Sequence, residues 1–195
     1  MWWFELWECI VEKNIIQYGK KYLKCRTNSE KIRAFTILKN EIMMMSKSNQ
    51  NNLLTEICNS KNRKNYSHLC MNWEDIKFLD KHKLITIGSH THSHSVLSNE
   101  NIGDIKFDIF KSKDILEKKL GHTINHFAYP YGTKKDYGKR EVNLIKNYKF
   151  KSAVTTECKK INKYHLHSLP RLGFNQNFNE DIFEARINGL CNLFQ

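Results

Sequence analysis

No apolar run in this sequence approaches the roughly 20 residues that a membrane-spanning helix needs. Met1 to Val11 has no basic start, and Glu5 and Glu8 break its apolar stretch, so it does not read as a secretory signal. None of the six cysteines, Cys9, Cys25, Cys58, Cys70, Cys158 and Cys191, stands in a C-x-x-C pair. That argues against a zinc knuckle or a dithiol redox motif. An even count would permit disulfides in an exported chain; without a leader, reduced and mostly buried thiols are expected, in a cytoplasmic protein. Acidic residues are the scarcer charge, 20 against 32 Lys and Arg, for a net charge of +12. That sign suits polyanions such as nucleic acid, anionic lipid or acidic glycans. Yet no lysine run exceeds a Lys-Lys pair and no recognition motif for nucleic acid is visible, so a solvated basic surface is expected.

What is present is an alternation of helices and short apolar strands over 195 residues, enough for one domain with a sizeable core. No internal repeat is visible. Trp3, Leu6, Trp7, Ile10 and Val11 mark one helical face. Ser29 can cap a helix carrying Ile32, Phe35, Leu38 and Ile42. Residues 46–52 are polar and read as a loop before a shorter helix around Leu53, Leu54 and Ile57; residues 59–68 read as an exposed connection. Asn72 can cap a helix through Trp73, Ile76 and Leu79, ahead of a strand from Leu84 to Ile87. Ser98 opens a helix with Ile102, Ile105, Ile109, Leu116 and Leu120 inward, and Gly121 ends it. Strands over 124–129 and 150–155 flank a helix at 141–147, and Asn179 caps a last helix through Leu190. Helices between short strands predict an α/β fold with a parallel sheet.

The segment Gly88-Ser89-His90-Thr91-His92-Ser93-His94 carries the chemistry, because it sets histidines behind a strand that stops at a glycine. If the chain turns helical there, His90 and His94 share one face at metal-ligand spacing. If it stays extended, His90, His92 and His94 all point one way. The glycine favours the helical reading, with His92 at the surface or behind the ligands. The carboxylates Asp75, Asp80, Asp104 and Asp108 fall on expected helices, where solvent exposure is their usual fate.

Gly88-Ser89-His90-Thr91-x-Ser93-His94, followed by Phe127-Ala128-Tyr129-Pro130-Tyr131-Gly132, resembles two successive motifs of the polysaccharide deacetylases, the NodB-homology group of carbohydrate esterase family four. Leu97-Ser98 and Leu120-Gly121 keep the family's spacing between them, and the similarity runs from about Met71 to Gly173. The resemblance implies a distorted (β/α) barrel. It divides the chain into a helical region at 1–70, a motif-bearing core at 71–173 and a C-terminal helix at 174–195 of one deacetylase-like domain. It further implies hydrolysis of acetyl groups from amino sugars of a glycan, with zinc or another divalent ion held by His90 and His94. Tyr131 would give its backbone N–H to the oxyanion, and Tyr129, Pro130 and Arg171 would line the substrate.

Departures from the pattern set further expectations. The family's early Thr-Phe-Asp-Asp motif, source of a base and a third metal ligand, has no match here. Ala128 stands where many relatives carry arginine. Trp2-Trp3-Phe4 resembles sequence that follows the first strands, so an N-terminally truncated barrel is expected, with a missing N-terminal segment or a partner chain. His126, His165 and His167 are weaker candidates, and Glu157 could stand in for a carboxylate only if folding brought it to the cleft. The readings that follow are a metal-dependent sugar deacetylase, a glycan- or partner-binding pseudoenzyme, and, distantly, a basic nucleic-acid-binding protein.

Overall fold

In the computed structural model of the chain, the residues described are 2–58, 65–159, 161, 165–174 and 176–190. They form two units that divide after Asn72.

The first unit orders helix α1 (Trp2–Glu12), strands β1 (Ile15–Tyr18) and β2 (Lys21–Lys24), and helices α2 (Asn28–Met43) and α3 (Lys47–Cys58). The two strands pair antiparallel around a turn in which Gly19 takes a φ of 53°, a conformation open to glycine at little cost. Ile16 and Tyr18 point inward and Ile15 and Gln17 outward, an alternation too short for the sequence to announce. Helix α1 is rotated from the expected face. It buries Trp2, Glu5, Leu6, Cys9 and Ile10 and leaves Trp7 and Val11 exposed, because Cys9 packs against the end of α3, its thiol donating to the Ile57 carbonyl at 3.3 Å. The cap of α2 is Thr27, not Ser29: its Oγ1 accepts from Glu30 N–H at 3.2 Å while the Glu30 carboxylate accepts from Thr27 N–H. This is the reciprocal Thr-x-x-Glu box. Residues 47–52, expected as loop, are the first turns of α3, because Gln50 buries its side chain and donates to the Met45 carbonyl. Of the expected connection at 59–68, residues 59–64 lie outside the described residues.

The second unit holds α4 (Trp73–Asp80), α5 (Ile102–Leu120), β3 (His126–Ala128), α6 (Lys139–Asn147), β4 (Ser152–Val154) and α7 (Glu180–Ile187). Asn101 rather than Ser98 caps α5, accepting from Asp104 N–H, and Gly121 closes it in the left-handed conformation. Asn179 caps α7 as its sequence suggests. Strands β3 and β4 pair parallel, with His126 opposite Ser152 and Ala128 opposite Val154. Single parallel bridges extend them, Ser89 to Phe127 on one side and Leu169 to Val154 on the other. The parallel α/β arrangement is therefore present.

The barrel is not. Among the described residues the sheets have two strands each and do not close. The expected strand at Leu84–Ile87 does not form, and Leu84 is 82% exposed. Closure requires every strand to find partners on both edges; here each outer segment contributes one bridge. One face of the sheet packs Phe127 and Ala153 with Ile105 and Ile109 of α5, Leu144 and Ile145 of α6, and Phe150. The other face carries exposed His126 and half-buried Ala128, Ser152 and Val154.

The start of β3 is clamped to α5. Glu117 accepts from Ile124 N–H at 2.9 Å, and Lys113 donates to the Ile124 carbonyl at 2.6 Å. Just ahead, His122 Nε2 lies 2.7 Å from Asp80 Oδ2 of α4. The Asp80 carboxylate, helped by the Thr123 carbonyl, raises the imidazole pKa above its ordinary value. A raised folded-state pKa contributes stability that is full below the unfolded value, about 6.5, and is lost as pH rises through the folded one. The stability difference between wild type and Asp80→Asn should therefore shrink between mildly acidic and mildly alkaline pH. The pair is solvent-screened, so the effect is small. A difference that stays constant across that range, in thermal melts, would show the pair to be inert.

Among the described residues the five cysteines carry free thiols; Cys9 and Cys25 are buried as expected, Cys70 is exposed, and Cys191 lies outside them.

Candidate functional site

Ser89 joins the sheet with both backbone groups: its N–H donates to the His126 carbonyl and its carbonyl accepts from Ala128 N–H, each at 2.8 Å. Its side chain is buried against α5, Oγ to Ser112 Oγ at 2.9 Å. His90, one residue on, therefore emerges on the opposite face. There it lines a cleft of about 340 Å³ with Thr86, Gly88, His126, Ala128 and Ser152.

His90 and His94 do come together, by neither expected route. The segment is neither helical nor extended: Thr91 and His94 hold φ values of 63° and 55°, left-handed positions that non-glycine residues keep only when the surroundings impose them. His94 N–H donates to Thr91 Oγ1, closing the turn. The rest of the restraint comes from Asp108 on α5. Its Oδ1 accepts from Ser93 N–H at 2.8 Å, its Oδ2 accepts from the Ser93 and Ser95 hydroxyls at 2.9 and 3.1 Å, and its carbonyl accepts from His92 N–H. Asp108 is 6% exposed, which corrects the expectation of a solvated helix carboxylate. Its sequence signal was its spacing: Ile105, Asp108, Ile109 and Ser112 form one inward stripe at helical period.

The two imidazole rings stand edge to face at 4.8 Å, and the Tyr131 ring lies 5.0 Å from His94. His90 Nδ1 is 2.7 Å from the Ala128 carbonyl. A carbonyl only accepts, so Nδ1 donates, which in the neutral ring leaves the Nε2 lone pair for a ligand, the arrangement by which backbone carbonyls orient metal-binding histidines.

The second motif forms the neighbouring wall. Tyr129 is fully buried, its hydroxyl donating to the His167 carbonyl at 2.8 Å and its ring stacked at 4.4 Å on Tyr137. It is a pillar beneath the loop, without surface to offer a substrate. Pro130 is buried too, and Tyr131 turns the chain with a φ of 59°. The Tyr131 and Gly132 carbonyls accept from Thr156, through its hydroxyl at 2.6 Å and its N–H at 2.9 Å. Arg171 is exposed and fastened by Nε to the Thr155 carbonyl at 2.6 Å. His126 meets Ser152 Oγ, and His167 meets the Phe150 carbonyl. Glu157 pairs with Lys159.

As a metal site the donor set is partial. The histidine pair suits one ion, but among the described residues no group of three or more His, Cys, Asp or Glu side chains converges. A catalytic zinc ordinarily takes three protein ligands and water. The described residues do not complete that set.

The fold has solved counterparts. The Streptococcus pyogenes deacetylase PplD, determined with acetate, matches with a TM-score of 0.54 at 21% identity, over 60% of this chain and 50% of that one. A polysaccharide deacetylase from Bacillus cereus matches with a TM-score of 0.52 at 22% identity, over 60% and 37%. A de-N-acetylase from Aggregatibacter actinomycetemcomitans matches at 0.50 and 12% identity, over 93% and 62%. At these identities the likeness is one of fold, and the chain spans half or less of the first two. No protein of curated function matches its sequence. The family match is in the sequence itself: residues 39–153, more than half of the chain and inclusive of both motifs, fit the polysaccharide deacetylases. This chain belongs to the polysaccharide deacetylase family.

Proposed function

We propose that this chain is a glycan-directed domain of the deacetylase type that holds a divalent ion weakly through His90 and His94 and, by its own described residues, hydrolyses acetyl groups slowly or not at all. The observation that carries this is the His90–His94 pair, with His90 oriented through Nδ1 by the Ala128 carbonyl beside the Tyr131 loop. The intended substrate is an N-acetylated amino sugar within a glycan. A bound divalent ion would polarise the acetyl carbonyl. His90 Nε2 and His94 would hold it, the Tyr131 backbone N–H would face the developing oxyanion, and exposed Arg171 would steer polar groups of the sugar.

A carboxylate to deprotonate water is missing from the described residues that line the His90 cleft. Such a base commonly contributes about 10²–10⁴-fold in rate. Glu157 is engaged by Lys159, and Asp108 is committed to Ser93 and Ser95. This favours, as the second reading, a pseudoenzyme that binds glycan or a partner without turnover.

Zinc titrated into the metal-free chain should reveal a weak site, with affinity falling about tenfold or more in His90→Ala and in His94→Ala. Equal uptake by wild type and both variants would remove the assignment. Acetate release from N-acetylglucosamine oligomers should stay near background. Robust turnover abolished by His90→Ala would overturn the incomplete-site reading and demand a substitute base.

A further inference from the structure

The carboxyl ends of parallel strands are where α/β folds build ligand sites, and the chain beyond β3 and β4 encloses a second cleft there. Its volume is about 730 Å³, within the range of small-ligand sites. Lys134, Tyr137, Lys139 and Lys146 line it from the β3 side, Glu157 and Lys159 from the β4 side. Neither His90 nor His94 belongs to it.

Its charge is unbalanced. Four lysines and one glutamate line it, and that glutamate is already paired with Lys159 at 2.5 Å. Lys134, Lys139 and Lys146 have no ion-pair partner among the described residues. Lys139 and Lys146 lie seven residues apart on α6, hence on one face of the helix, and both meet the same cavity. A concave surface lined by one sign of charge focuses its field on a ligand of the other. The cleft is also tied to the motif loop, because Tyr137 in its wall is the ring stacked on Tyr129, one residue before Pro130.

We propose that this cleft binds the anionic groups, carboxylate or phosphate, of an acidic glycan, so that the chain recognises an acidic rather than a neutral acetylated polysaccharide. The assignment rests on the glycan-directed reading above and names its substrate class. A nucleic acid is the less suitable polyanion. Single strands are held by stacking bases on free aromatic faces, and Tyr137 already gives a face to Tyr129.

The test is calorimetric titration with four probes: a neutral chitin hexasaccharide, a hyaluronan hexasaccharide (uronic acid alternating with N-acetylglucosamine), a poly(glycerol phosphate) and a single-stranded oligonucleotide. The variants are Lys139→Gln/Lys146→Gln and, as a control for net charge, Lys77→Gln/Lys81→Gln on exposed positions of α4 and its end. An acidic glycan should bind more tightly than chitin. The first variant should weaken it roughly fivefold or more and flatten its salt dependence, leaving chitin binding unchanged. The control should alter neither. The hyaluronan and poly(glycerol phosphate) arms tell carboxylate from phosphate.

The proposal is overturned if acidic and neutral oligomers bind alike, if both variants weaken acidic binding equally, or if the oligonucleotide binds best and loses most in the first variant. Chitin binding with no preference for acid would sink this inference alone. No binding of any glycan, with no zinc uptake at His90 and His94, would sink the function proposed above with it.

Discussion

Replacing Asp108 with alanine is expected to cost roughly 3 kcal/mol of stability and to abolish whatever metal uptake His90 and His94 support. The side chain accepts hydrogen bonds from one backbone N–H and two hydroxyls of the loop that carries the two histidines. Ser95 is 2% exposed, so its orphaned hydroxyl would keep the full desolvation cost. Thr91 and His94 would also lose what holds them at positive φ, and would relax to ordinary conformations that separate the two imidazoles. Asp108→Asn keeps the shape but turns one acceptor into a donor, so an intermediate loss is expected. Urea denaturation and zinc titration on the same samples read both effects. A stable Asp108→Ala protein with unchanged zinc affinity would show that the loop holds its own shape.

The second large effect is expected at Gly132. Its φ is 72°, and a Cβ there would meet Thr156 N at 2.9 Å and the Tyr129 carbonyl oxygen at 3.1 Å. Those neighbours are backbone of the loops after β3 and β4 and cannot swing aside as a side chain would. Gly121 separates the two causes: its φ is 79°, but nothing lies within 4 Å of its Cβ position. Gly121→Ala should thus lose about 1 kcal/mol, from conformation alone. Gly132→Ala should lose that and a further 1–3 kcal/mol or so from the collision, since overpacking forces backbone shifts. It should also part the Tyr131 carbonyl from the Thr156 hydroxyl and displace the Tyr131 ring from His94. Equal losses in the two variants, measured by denaturant midpoint at constant m-value, would show that no collision occurs.

Local patterns carried much of the second unit. The apolar period of α5, its left-handed Gly121, the Asn179 cap and the short runs that become β3 and β4 are readable because each depends on neighbours a few residues away. The same holds for the two motifs that place His90, His94 and Tyr131. The errors cluster where a distant partner outweighs the local signal. Residues 47–52 are polar enough for a loop, but Gln50 finds a backbone acceptor and the helix begins early. Leu84 to Ile87 is apolar enough for a strand, but Ser89 alone acquires a strand partner. A strand needs another edge to bond to, and no local pattern says whether that edge is there.

The sequence by itself determined the family, the alternation of helix and strand, and the residue types able to hold an ion. Those follow from composition, period and motif, which are properties of the chain before it folds. Tertiary structure alone decided that the histidines meet through a left-handed turn, that Asp108 is spent on restraining that turn, and that Tyr129 is a buried pillar. It also decided that the lysines after β3 and β4 share one cleft. The turn depends on Asp108, 15 and 13 residues from the Ser93 and Ser95 it binds, and the pillar on Tyr137 and the His167 carbonyl, 8 and 38 residues from Tyr129. Distances of that kind are set by how helices pack on a sheet, and no linear spacing encodes them.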